Sequence, residues 1–175
     1  MASFSGEATV KVDDKGRIIL PASLRAPLEG PDGKIPTDKK PALIIVYGGE
    51  QQKQLQVYTE ASIQEVRAKI ERLPSSPRSR VLRYLYFSRT SRVEVDGAGR
   101  MLIEKKLREK LQIENELYVI GLGKTFELWR ADVFEEQMAR DMELAEGLAE
   151  GVDPLEELDR ALAELDRSPQ AGTAA

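Results

Sequence analysis

Two short stretches place an aspartate four residues before an arginine, with a glycine directly ahead of the arginine: Asp13-Asp14-Lys15-Gly16-Arg17 and Asp96-Gly97-Ala98-Gly99-Arg100. A guanidinium is a planar fork of donors that matches guanine O6 and N7, with about 1 to 3 kcal/mol of discrimination per good bidentate pair. The carboxylate cannot favour a polyanion. It can accept hydrogen bonds from the turn's own amides and hold the arginine in a fixed direction. Arg17 and Arg100 are therefore candidate base-reading residues, with Asp13, Asp96, Gly16 and Gly99 orienting their turns. Lys15 occurs in one turn only and suits a phosphate contact. An Asp–Arg pair on a solvated turn can also be a bare ion pair worth under about 1 kcal/mol, so one copy alone would decide nothing.

Other chemistries are disfavoured by what is missing. The 175 residues include no Cys and no His, which removes redox chemistry, structural zinc and histidine-based acid–base catalysis. Carboxylates alone could still serve a hydrolase or a hard cation, but no catalytic set, metal site, cofactor or small-molecule substrate is expected. No apolar run reaches transmembrane length, and residues 1–9 lack a basic region followed by an apolar stretch. Both observations predict a cytoplasmic protein with no membrane partner.

The net charge of −4 is unevenly distributed. Residues 1–130 carry 23 basic and 17 acidic side chains, whereas residues 131–175 carry 3 basic and 13 acidic. A basic body with an acidic extension fits a nucleic-acid partner.

The elements that must position the turns are themselves duplicated. Residues 8–28 (ATVKVDDKGRIILPASLRAPL) slide by 83 positions onto residues 91–111 (SRVEVDGAGRMLIEKKLREKL) with eight identities, including Asp13/Asp96, Gly16/Gly99, Arg17/Arg100 and Arg25/Arg108. Further on, LIIV at 43–46 answers LYVI at 117–120, and LQVY at 55–58 answers FELW at 126–129. Each half reads strand, turn, strand, short helix, hairpin, longer helix. Val10 and Val12 alternate before the first turn and Ile18 and Leu20 after it, which predicts a short local hairpin. Pro21 suits the first turn of the following helix, on which Leu24 and Leu28 share a face. The hairpin loops fall at 48–54 and 121–125, and amphipathic helices are predicted near 60–72 and 131–150. The PSSP run at 74–77 separates the halves.

This duplicated arrangement, with an Arg-Tyr-aromatic segment at 83–87 leading into the second copy, resembles the MraZ family over about residues 5–140. The resemblance implies an α+β, β-rich fold of two tandem swapped-hairpin AbrB-like repeats forming a pseudo-dimeric small barrel with flanking helices. Residues 5–73 form the first repeat, 74–90 a basic connector and 91–140 the second repeat. Residues 141–175 form an acidic extension, partly helical or disordered. It further implies a nucleoid-associated transcriptional regulator that binds short direct repeats of double-stranded DNA upstream of its own division and cell-wall operon, as a homo-oligomeric ring. Three departures stand out: Glu104 replaces Pro21, Gly97-Ala98 replaces Asp14-Lys15, and the tail after 145 is long. The second turn is expected to grip DNA less strongly.

Residues 67–92 hold eight basic side chains against Glu71 alone, with Tyr84, Tyr86 and Phe87 interleaved. Leu82, Leu85 and Tyr86 fall at helical spacing and are expected to face a core. Arg25 and Arg108 are read as structural or inter-subunit residues. GLGKT at 121–125 lacks the earlier glycine of a phosphate loop, since that position is Tyr118, and it precedes a strand. Leu155, Leu158, Leu162 and Leu165 form a stripe that could serve a partner protein. An AbrB-like antitoxin or a ring-forming scaffold is thus the alternative function.

Overall fold

The structure is a computed structural model that describes residues 3–145, 148 and 151–168. Its strands are β1 (Glu7–Lys11), β2 (Arg17–Ile19), β3 (Ala42–Val46), β4 (Leu55–Thr59), β5 (Thr90–Glu94), β6 (Arg100–Leu102), β7 (Glu116–Gly121) and β8 (Thr125–Trp129). The helices are α1 (Ala22–Arg25), α2 (Glu60–Glu71), α3 (Pro77–Arg83), α4 (Lys105–Leu111), α5 (Ala131–Leu144) and α6 (Pro154–Arg167). The fold is α+β. Six strands form one antiparallel sheet in the order β1-β7-β8-β4-β3-β5, and β2 pairs with β6 in a separate ribbon. With β1 and β5 at its edges, this sheet is open, in place of the expected small barrel.

The expected local hairpin is also corrected. β1 enters the first turn and β2 leaves it, but the two form no ladder: β1 pairs with β7 and β2 with β6. Only the turn itself is closed, by Gly16 N donating to Asp13 O at 3.0 Å and Asp13 N to Arg17 O at 2.9 Å. Beyond it each strand finds its partner in the other half. β5 likewise pairs with β3. Alternation fixes which side chains share a face, not which strand lies alongside.

These exchanges place the core between the halves. Leu43, Ile45, Leu55, Val57, Leu117, Val119, Phe126 and Leu128 come from the four central strands, and Ile18 and Met101 from the ribbon. Leu24, Leu28, Leu107 and Leu111 close the same cluster from the short helical segments. β3 is buried along its whole length, because Ile44 and Val46 on its other face meet Tyr58, Ile63 of α2 and the half-buried Tyr86. Leu82 and Leu85 are also half-buried, whereas Val81, Tyr84 and Phe87 are exposed. Pro21 stands one position before α1 as its N-cap, with φ −55° and ψ 152°. Glu104 takes nearly the same conformation before α4, φ −54° and ψ 147°, so the backbone geometry survives the loss of proline.

The chain divides into a compact unit up to Val133 and a second from Phe134. In the second, α5 ends at Leu144, short of the expected 150, and residues 146, 147, 149 and 150 lie outside the described residues. α6 begins at an Asp153 cap whose side chain accepts from Leu155 N at 2.9 Å, and its leucine stripe is exposed. No helix among the described residues is long and apolar enough to cross a membrane.

Candidate nucleic-acid interface

Each Asp-x-x-x-Arg turn is built the same way. Asp13 Oδ1 accepts from Lys15 N at 3.0 Å and Arg17 N at 2.8 Å, while Oδ2 accepts from Arg17 Nε at 2.8 Å. Asp96 Oδ1 accepts from Ala98 N at 3.0 Å and Arg100 N at 2.9 Å, and Oδ2 from Arg100 Nε at 2.8 Å. Gly16 and Gly99 follow at φ +83° and +78°, the left-handed conformation that a four-residue turn needs before rejoining a strand, and one that glycine adopts without a Cβ penalty.

The carboxylates are held ionised by this arrangement. Asp13 lies below the usual carboxylate value chiefly through the Arg17 amide, with the Arg17 guanidinium adding to it. At Asp96 burial pushes upward, but the Arg100 amide, the Arg100 guanidinium and the Ala98 amide outweigh it. Each aspartate engages its guanidinium through Nε, leaving the Nη edge clear of that bond. The two Nη groups can still fork onto guanine O6 and N7.

The ribbon links the two turns, one at each of its ends. Arg17 faces Leu102 and Ile19 faces Arg100, with Ile18 paired to Met101 between them. Because side chains alternate along a strand, Ile18 and Met101 point into the core and the other four share the outer face. The ribbon is closed at both ends by bonds to the turn glycines: Ile103 N donates to Gly16 O at 2.8 Å and Leu20 N to Gly99 O at 2.9 Å.

Two further residues belong to this site. A Cβ placed on Gly16 would lie 2.9 Å from Cζ and Nε of Arg108, and one on Gly99 would lie 2.6 Å from Cδ of Arg25. Each arginine thus leaves the short helix of its own half to cover the turn of the other. Arg108 Nε also donates to Ile103 O at 3.0 Å, whereas Arg25 Nε is buried with no hydrogen-bond partner among the described residues. The sequence signal was the identity of Arg25 and Arg108 in the duplication, which marks them as structural but does not say what they touch. Lys15 sits exposed at the tip of the first turn and Ala98 at the tip of the second.

The basic connector forms α3 and a π-helical turn at Tyr84–Ser88. Arg67 lies over the Phe87 ring at 5.0 Å, and Arg89 over Tyr47 at 4.7 Å and Tyr84 at 5.8 Å. These aromatics already hold intramolecular cations. Residues 121–125 close the β7–β8 hairpin, and no group of three or more His, Cys, Asp or Glu able to hold a metal occurs among the described residues.

A family model described as "MraZ protein, putative antitoxin-like" matches residues 3–79 and 86–153. A protein of Ruegeria sp. (strain TM1040) named transcriptional regulator MraZ is 39% identical over 160 residues, covering 90% of this chain and 96% of that relative. The Coxiella burnetii (strain RSA 493 / Nine Mile phase I) protein of the same name is 35% identical over 151 residues, covering 86% of this chain and 93% of its own.

Proposed function

This chain belongs to the MraZ family, and from that premise we propose that it is a sequence-specific DNA-binding transcriptional regulator whose reading heads are the turns at Arg17 and Arg100. The observation that carries the assignment of the heads is the ribbon register, which sets both arginines on one outer face with their Nη edges available. Asp13 and Asp96 act as orienting residues, Gly16 and Gly99 permit the turns, and Lys15 adds a phosphate contact. No catalytic, metal or cofactor role is assigned.

Residues 5–73 and 91–140 act as tandem AbrB-like repeats joined by 74–90, their exchanged strands corresponding to a swapped hairpin, with 141–175 as an extension. Copies of the chain assemble into a ring, which the exposed Val81, Tyr84 and Phe87 support as surface in need of cover. The ring binds short direct repeats upstream of its own division and cell-wall operon, in the nucleoid. Several weak contacts then act together through avidity.

The test is a titration of duplex from upstream of the chain's own coding sequence, and of a shuffled duplex, against Arg17→Ala and Arg100→Ala. Each change should cost specific binding roughly 5- to 150-fold per contact and leave weak, salt-sensitive binding to shuffled DNA. Variants that keep the wild-type oligomer mass and the wild-type affinity would remove the turns as reading heads. An antitoxin reading draws on α6, whose leucine stripe is exposed on an acidic helix. Deleting 151–175 would then abolish capture of a toxin and spare DNA binding.

A further inference from the structure

The outer face of the β2–β6 ribbon is not purely cationic. Ile19 is 58% exposed and Leu102 44% exposed, and each stands directly opposite one of the two arginines in the register. The face is a two-by-two array in which Arg17 has Leu102 across the ribbon and Ile19 two residues along, while Arg100 has Ile19 across and Leu102 along. Exposed aliphatic side chains at these positions contribute nothing to the core, which Ile18 and Met101 fill from the opposite face. Alternation alone would have been satisfied equally by polar residues.

We propose that Ile19 and Leu102 are specificity-determining residues that contact the C5-methyl groups of thymines in the major groove, beside the bases read by Arg17 and Arg100. The proposal rests on the reading of the turns as DNA-binding heads. A two-stranded ribbon fits the major groove, where thymine alone presents a methyl group among hydrogen-bonding edges. Neighbouring strands lie about 4.8 Å apart and alternate residues on one strand about 6.6 Å apart, so each aliphatic side chain falls within one or two base-pair steps of an arginine. The flanking Arg17, Arg100 and Lys15 supply the charge that brings this apolar face against DNA. The preferred site therefore contains thymine close to guanine.

The experiment replaces thymidine by deoxyuridine, one position at a time, in the duplex from upstream of the chain's coding sequence. This removes a methyl and leaves every hydrogen bond. Wild type, Ile19→Thr and Leu102→Thr are compared, threonine being chosen to preserve strand propensity. Wild type should lose about three- to fivefold in affinity at each contacted thymine, the effect of one buried methyl. Ile19→Thr should lose that dependence at one thymine and Leu102→Thr at another, with oligomer mass unchanged. If deoxyuridine costs wild type nothing while Arg17→Ala still abolishes specific binding, the heads stand and this inference falls. If Ile19→Thr and Leu102→Thr keep the full methyl dependence, or if they alter the oligomer mass, the aliphatic pair serves something other than thymine. Indifference to Arg17→Ala would instead overturn the reading of the heads.

Discussion

Arg108, from the second half of the chain, lies with its guanidinium against Gly16 of the first half, close enough that a Cβ there would meet it at 2.9 Å. The same arginine ties back to Ile103 O, and Ile103 N reaches Gly16 O. The turn that carries Arg17 is therefore supported from the half that does not contain it. Arg25 mirrors this at Gly99, but its Nε has no hydrogen-bond partner among the described residues, so the first turn is the more firmly held.

Crossed coupling should follow. Arg108→Ala is expected to weaken specific DNA binding on the order of tenfold, acting through the direction of Arg17. In double-mutant cycles Arg108→Ala should add little to Arg17→Ala and add fully to Arg100→Ala, while Arg25→Ala shows the reverse pattern. The salt slope should stay at the wild-type value, because no phosphate contact is removed. Coupling within each half, Arg25 with Arg17, would contradict the geometry.

Acid sensitivity has a definite sign. Asp13 and Asp96 have folded-state pKa values below the usual 3.8, so their contribution is complete above that value and is lost as pH falls through the lower folded values. The chain has no histidine, and thermal stability should be flat between about pH 5.5 and 7, with these turns contributing a decline only below about pH 4. Asp13→Asn retains an oxygen for the Lys15 and Arg17 amides but offers Arg17 Nε a donor instead of an acceptor. Specific binding should fall, and binding to shuffled DNA should rise with the loss of a negative charge. A circular dichroism melt series and paired titrations would check both; an unchanged specificity ratio would count against Asp13 as an orienting residue.

Local chemistry was well represented in the sequence, and pairing was not. The turn residues, the buried Leu24 and Leu28 and the break at Pro74 can all be read from spacing, because each depends on neighbours within a few positions. Val10 and Ile18 looked like two sides of one hairpin because alternation carries a face and no address. Their partners, Leu117 and Met101, lie far along the chain in the other half. Arg25 and Arg108 were visible as repeated residues, yet their contact with the opposite glycines exists only after the strands have exchanged. Glu104 stands where the first repeat has Pro21. Its backbone is nearly superimposable in angle, and its side chain accepts a hydrogen bond from Ser91 Oγ and pairs with Lys106.

The acidic extension should be dispensable for DNA. Residues 151–175 carry six acidic and two basic side chains, so their removal should leave affinity intact or slightly tighter by relieving repulsion of phosphates. Light scattering on the same protein should report a closed oligomer at micromolar concentration, before and after truncation. A fall to monomer on truncation would assign the leucine stripe of α6 to the subunit interface.

The two turns differ most plainly at their tips, Lys15 against Ala98, and this difference can be exchanged. Both positions donate a backbone amide to the aspartate, at 3.0 Å in each case, so the side chain is free of the turn's internal bonding and can be altered without disturbing the arginine. Lys15→Ala should weaken operator and shuffled duplex alike and make the salt slope shallower by about one unit per turn engaged. Ala98→Lys should do the opposite: tighter binding to every sequence, a steeper slope and an unchanged ratio of specific to non-specific affinity. The double variant, Lys15→Ala with Ala98→Lys, should restore the wild-type slope if both turns meet phosphates in equivalent fashion. Titrations at four or more salt concentrations, with oligomer mass monitored throughout, would measure it. Loss of specificity in Lys15→Ala would show the lysine reading bases, and no response to Ala98→Lys would show that the second turn stands clear of the DNA.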